Sequence, residues 1–201
     1  MAESLAALGR ELSACRHCAE HLAHGPRPIF QFAEEARIGV FSQAPGNLAH
    51  QGGRPFMDPS GARLREWMGV SEDEFYGSGR IAIAPMAFCF PGYDKAGGDL
   101  PPRKECAPLW RERVMAALPG LDLVLLVGAY AQRWHLGTGA AKTLTETVRR
   151  WREFGPRYVP TPHPSWRNNG WIKKNPWFEA ELVPHVRERV RGLLGSRGRP
   201  S

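Results

Sequence analysis

RIGVFSQAPGNLAHQGGRPF, residues 37–56, is the stretch on which the reading of this chain turns. It begins as a short apolar run, which predicts a buried strand over residues 37–42. The composition then changes at once. Ser42–Phe56 carries Pro45 and Pro55, Gly46, Gly52 and Gly53, the amides of Gln43, Asn47 and Gln51, the imidazole of His50, and a closing aromatic at Phe56. Proline and glycine on this scale predict a loop. In open α/β sheets, ligands bind where such loops leave the carboxyl ends of the strands. Yet this loop holds no carboxylate. If it hosts chemistry on a polar bond, the acid or base must come from elsewhere.

The pattern repeats outward from there. RIAIAPM (residues 80–86) reads as a second strand broken at Pro85, LDLVLLVG (121–128) as the clearest buried strand, and RYVPTPHPS (157–165) as a strand running into a loop. Helical periodicity fills the intervals. Residues 3–14 place Leu5, Leu8 and Leu12 on one face, residues 60–69 run from Ser60 as N-cap to Gly69 as C-cap, and residues 107–118 stop at Pro119-Gly120. Residues 129–137 and 140–151 read as two more helices. Asn175-Pro176 opens a last one, with Phe178, Leu182, Val186, Val190 and Leu193 as its apolar face. Strands alternating with helices predict an α/β sandwich around a mostly parallel sheet. The loop 42–56 and the loop holding His163 then both leave strand ends and can share one cleft.

Bulk properties bound the reading. A chain of 201 residues, 42% hydrophobic, can bury one sizeable core, which predicts a single domain over 1–201. No apolar run approaches the ~18 residues of a membrane span, and MAESLAALGRELSAC is an amphipathic pattern with acids in it, unlike a secretory leader. The expectation is a cytoplasmic protein with no membrane partner. The net charge of +7 suits a polyanion, whose phosphates Lys and Arg can neutralise, although solubility alone would also explain it. Residues 196–201 read as a flexible tail.

Cys15 and Cys18 form a C-x2-C pair, and Cys89 and Cys106 a distant C-x16-C pair. In a cytoplasmic protein this set points away from disulfides and toward metal. Four thiolates fit either a structural zinc ion or a 4Fe–4S cluster. Phe88 and Phe90 beside Cys89 would keep water from a cluster. Either group would staple residues 1–30 to the 89–106 loop.

QAPG at 43–46, GRPF at 53–56, LVLLVGAYA at 123–131 and HPS at 163–165, interleaved with the four cysteines, make a series. In that order the chain resembles the uracil-DNA glycosylase superfamily, in its iron–sulfur branch (families four and five), from about Cys15 to Leu194. The resemblance implies a three-layer α/β sandwich on a central four-stranded sheet, a pocket for one flipped-out base, and damaged DNA, single- or double-stranded, as the partner of a monomer at the nucleoid. Flipping costs a few kcal/mol, which phosphate grips, an aromatic platform and a wedge must recover. Phe56 matches the aromatic on which the base stacks, with Ala44 and Gly46 beside it. His163 matches the histidine that steadies charge on the departing base, in the manner of an oxyanion donor. Ser165 matches a phosphate-gripping serine. Trp166, Arg167 and Asn168 occupy the wedge, and Lys173 and Lys174 extend the phosphate track.

The resemblance breaks at the water-activating position. Family one has Asp where this chain has Ala44, family four has Glu where it has Gln43, and a further acidic pair is replaced by Ala49 and His50. The uracil-reading asparagine of family four falls near Pro85. The histidine insertion of one related subgroup, which would follow GRPF, is absent. Three expectations follow. The base departs dissociatively, with Gln43 or Asn47 positioning water and His163 supplying the electrostatics. Alternatively a replacement group has moved in, with His50 as a base near neutral pH or Asp58 as the nearest acid; Asp58 also reads as a helix cap, the favoured reading. Or the protein binds lesions without cleaving them. The leading expectation is a monofunctional DNA glycosylase acting on deaminated bases, uracil first and hypoxanthine or xanthine next, in base-excision repair.

Overall fold

A computed structural model describes residues 3–195. The predicted tail at 196–201 lies outside the described residues. The order is α1 (Leu5–Ser13), β1 (Ile38–Phe41), α2 (Asn47–Gly52), α3 (Pro59–Met68), α4 (Glu72–Gly77), β2 (Ile81–Ile83), α5 (Cys106–Ala117), β3 (Leu123–Val127), α6 (Ala129–Leu136), α7 (Leu144–Arg149), β4 (Tyr158–Thr161), α8 (Asn169–Lys174) and α9 (Val183–Gly195). The four strands make one sheet of order β2-β1-β3-β4, and every pairing is parallel.

Strand residues alternate between the sheet's two faces, so each strand feeds two cores. Ile38, Val40, Leu123, Leu125 and Val127 pack with Leu64 and Trp67 of α3 and Val186 and Val190 of α9. Phe41, Val124 and Leu126 pack on the opposite face with Leu8 and Leu12 of α1 and Trp110 and Val114 of α5. Helices on both faces give the three layers expected of a sandwich. This is why the strands read as continuous apolar runs rather than as alternating ones. No helix among the described residues is long and apolar enough to cross a membrane.

Local differences have local causes. The loop 42–56 contains a short helix, α2, closed by Gly53 in the left-handed region at φ 71°. The helix expected from Ser60 starts at Pro59, because Asp58 is the N-cap and its carboxylate accepts the Gly61 N–H. The helix expected over 140–151 is shorter, held at its start by a Thr143–Glu146 capping box. The last helix begins with a wider, π-type turn at Phe178–Leu182. Pro184 has no N–H to return to the Ala180 carbonyl four residues back, which relaxes that turn.

Candidate active site

The carboxyl ends of β1 and β4 do converge. One cavity is lined by Gln43, Ala44 and Gly46 from the loop after β1, Phe56 and Asp58 before α3, Pro85 after β2, and His163 after β4. The loop after β1 is tied to the segment after β2 by backbone bonds, Met86 N–H to Ser42 O at 2.8 Å and Ala87 N–H to Gln43 O at 2.9 Å. The fully buried Arg111 donates to the carbonyls of Ala84 and Pro85, fixing the cavity floor from beneath. Its guanidinium lies 4.8 Å over the Phe41 ring, and burial lowers its pKa to about 10.

Phe56 is held in an unusual way. It is buried, and at φ 57° it is the one non-glycine residue with a positive φ among the described residues. Such a conformation costs energy and persists only where the surroundings impose it. The Tyr76 hydroxyl supplies part of that constraint, reaching the carbonyls of Pro55 at 2.7 Å and Phe56 at 3.0 Å. Gly61 supplies the rest: a β-carbon there would stand 1.9 Å from the Phe56 oxygen. The glycine is therefore what lets the Phe56 carbonyl come down on the first turn of α3 and the ring face the cavity.

His163 is prepared as a donor. Its Nδ1 accepts the Ser165 N–H at 3.3 Å, which assigns the proton of the neutral ring to Nε2. Asn168 Nδ2 donates to the His163 carbonyl at 2.7 Å, fixing the loop from its other side. Burial pushes the imidazole pKa below its usual value, against an opposing pull from Asp58. A neutral ring with an Nε2–H suits donation to a carbonyl oxygen.

Two carboxylates from outside the loop reach the cavity, Asp58 and Asp99. Asp58 divides its oxygens: Oδ1 accepts from Gly61 N–H at 3.1 Å and from the Ser60 hydroxyl, as the cap reading requires. Its Oδ2 would stand 3.6 Å from a β-carbon on Gly46, and Asp99 Oδ2 3.8 Å from the same point. Two carboxylates thus flank the Gly46 end of the cavity, which both of them line. Desolvation raises the pKa of Asp99, with Arg167 opposing and Asp58 adding to the rise. Asp99 escaped the sequence reading because it lies in a long loop, 43 residues past Phe56, where spacing carries no signal. Arg111 escaped it because an arginine in an amphipathic helix reads as a solvated one.

Other expected residues stand elsewhere. Gly46 and Ala49 face the cavity along α2, three residues apart on one side; Asn47 and His50 fall on another and do not line it. The His50 ring instead packs near His24 (6.1 Å) and Phe90 (5.9 Å). Burial, then Arg27 and His24, lower its pKa. Beside the cavity an open groove continues over Ser165, Trp166 and Arg167, with Trp166 71% exposed. Lys173 and Lys174 are exposed at the end of α8.

Cys15, Cys18, Cys89 and Cys106 line a second, apolar-walled cavity with Leu12 and Phe88. Burial pushes the Cys89 thiol up to about 11 and the Cys106 thiol to about 12. Among the described residues, no three His, Cys, Asp or Glu side chains are grouped so as to hold one metal ion.

The cavity at the strand ends is thus lined by an aromatic, Phe56, and by a histidine whose Nε2–H can donate, His163. The family model described as the uracil DNA glycosylase superfamily matches residues 29–187, and the chain belongs to that superfamily. Among solved structures, the chain is similar at 15% identity to the solution NMR structure of a "putative Uracil DNA glycosylase" from Methanosarcina acetivorans. That similarity covers 78% of this chain and 92% of the other, at a TM-score of 0.46.

Proposed function

We propose that this chain is a monofunctional DNA glycosylase that flips out a deaminated base, uracil first, and hydrolyses its N-glycosidic bond. The observation that carries the reading is one cavity lined by Phe56, His163, Asp58 and Asp99. The flipped base stacks on Phe56 and its carbonyl oxygen receives the His163 Nε2–H. As the C1′–N bond breaks, its electron pair passes to the base, and His163 stabilises the resulting negative charge. Water then forms the new bond to C1′. Its proton passes to a carboxylate, Asp99 or the free oxygen of Asp58, both of which also stabilise the cationic sugar. Gln43, whose backbone is fixed by Ala87, orients the water. Pro85 offers no side-chain donor, so the base edge is read by backbone groups and His163. This makes hypoxanthine and xanthine further substrates.

DNA is held outside the cavity by Ser165, Arg167 and the Lys173–Lys174 track, with Trp166 filling the gap left by the flipped base. The four cysteines would hold a 4Fe–4S cluster that fixes the N-terminal segment against the 89–106 loop. All four donors are thiols that line one apolar cavity, a set that would serve zinc as well as a cluster. The test is excision from labelled oligonucleotides containing uracil, hypoxanthine, xanthine or no lesion, single- and double-stranded, followed by alkali. Breakage at a lesion supports the reading. Tight lesion binding with no breakage would make the protein a lesion sensor instead.

A further inference from the structure

The segment after β2 separates two depressions. Pro85 faces the base cavity; the next residue, Met86, faces a groove bounded by α6 and the start of α5. Met86 and Ala107 form its apolar floor. Tyr130 and Trp134 stand along one side, four residues apart on α6 and hence on one face of it. They are 40% and 42% exposed, a large aromatic area for a surface helix to leave in water. Lys104 and Arg133 line the same groove and are exposed; the charge of Lys104 is felt by Glu105, its sequence neighbour. Arg103 also lines it, and that guanidinium is paired with Glu105 at 2.9 Å. No lining residue of the groove is acidic.

The geometry points to a binding site for unpaired nucleotides: a short length of single-stranded DNA running past the base cavity along α6. Aromatic faces interleaved with exposed cations are what a single strand requires, since every base can stack and every nucleotide brings a phosphate. The charge excludes a basic partner. The groove's position favours a nucleic acid: Met86, which lines it, follows directly on Pro85, which lines the base cavity. The assignment stands apart from the glycosylase reading, because a strand without any lesion should bind.

The test uses the full chain and fluorescein-labelled oligothymidylate, which contains no deaminated base, with affinity read by anisotropy over a range of salt. Trp134→Ala weakens binding at least about fivefold, and Trp134→Phe, which keeps a stacking ring, restores most of it. Lys104→Ala/Arg133→Ala, at exposed positions that leave the core untouched, lowers the salt slope by about 1.4. Unchanged affinity in Trp134→Ala together with an unchanged slope in the double variant would overturn the assignment. So would a polyglutamate peptide that displaces the oligonucleotide at equal charge, which would make the groove a site for acidic protein segments.

Discussion

Replacing Gly61 by alanine sets two physical effects against each other, and the structure decides the sign. Gly61 sits inside α3, where alanine is favoured over glycine by up to about 1 kcal/mol. Propensity alone therefore predicts stabilisation. The added β-carbon, however, would lie 1.9 Å from the Phe56 oxygen, 2.7 Å from its carbonyl carbon and 2.8 Å from its Cβ. These are backbone or near-backbone atoms that no rotamer change can move, so Phe56 must leave its position and loosen its bond to the Tyr76 hydroxyl. Overpacking of this kind costs about 1–3 kcal/mol, and the rigidity of the neighbour puts the cost at the upper end. The expected net loss is about 2 kcal/mol, or a Tm lower by about 4–8 °C for a chain of this size. Urea unfolding and calorimetry measure the stability; excision measured alongside should fall too, because the ring that stacks the base has moved. A variant as stable as the parent, or more so, would refute the claim that Gly61 exists to admit the Phe56 carbonyl.

Other substitutions separate roles that share a residue. His163→Ala removes the Nε2–H donor and should slow base release by about two to three orders of magnitude in single-turnover excision while DNA binding is retained. Asp58→Ala loses both the cap and the charge and should cost about 1 kcal/mol in urea unfolding, whereas Asp58→Asn keeps an accepting oxygen and most of the stability; excision should fall in both. Burial, with Arg111 and Arg157 adding, depresses the His135 pKa to about 3 from 6.5. The unfolded chain thus takes up a proton below 6.5 that the folded chain refuses until about pH 3, and stability falls as pH drops through that window. His135→Phe should remove about 2 kcal/mol of the acid loss between pH 6.5 and 5, measured as the difference between urea curves of the two proteins. Cys106→Ser should reduce bound iron and the broad visible absorbance of a cluster, by metal analysis and spectroscopy; full zinc occupancy in a colourless parent protein would refute the cluster.

The architecture was legible because parallel strands covered on both faces read as unbroken apolar runs. RIGVF, RIAIA and LDLVLLV all fall on strands, and the loops after β1 and β4 meet as strand-end geometry demands. Shorter helices were not legible. α2, α4 and α8 span six residues each, too few for periodicity to separate from loop composition. Within the site, Phe56 and His163 could be read because each belongs to a compact motif. Asp58 could be read twice: one of its oxygens caps α3, and the residue also lines the cavity. Asp99 could not be read, since nothing local marks it and only tertiary folding brings it beside Gly46. His50 looked suitable by chemistry alone, and the turn of α2 carries its ring out of the cavity.

In the proposed mechanism, Asp58 and Asp99 replace the carboxylates that the loop after β1 lacks. The most direct measurement is the single-turnover rate of base release from uracil-containing DNA by the parent protein and by Asp58→Asn/Asp99→Asn, with affinity for the same DNA measured in parallel. The parent should release the base, and the double variant should lose about three orders of magnitude or more in rate, with DNA binding kept. Equal rates in the two proteins, or no release by the parent at all, would contradict that mechanism.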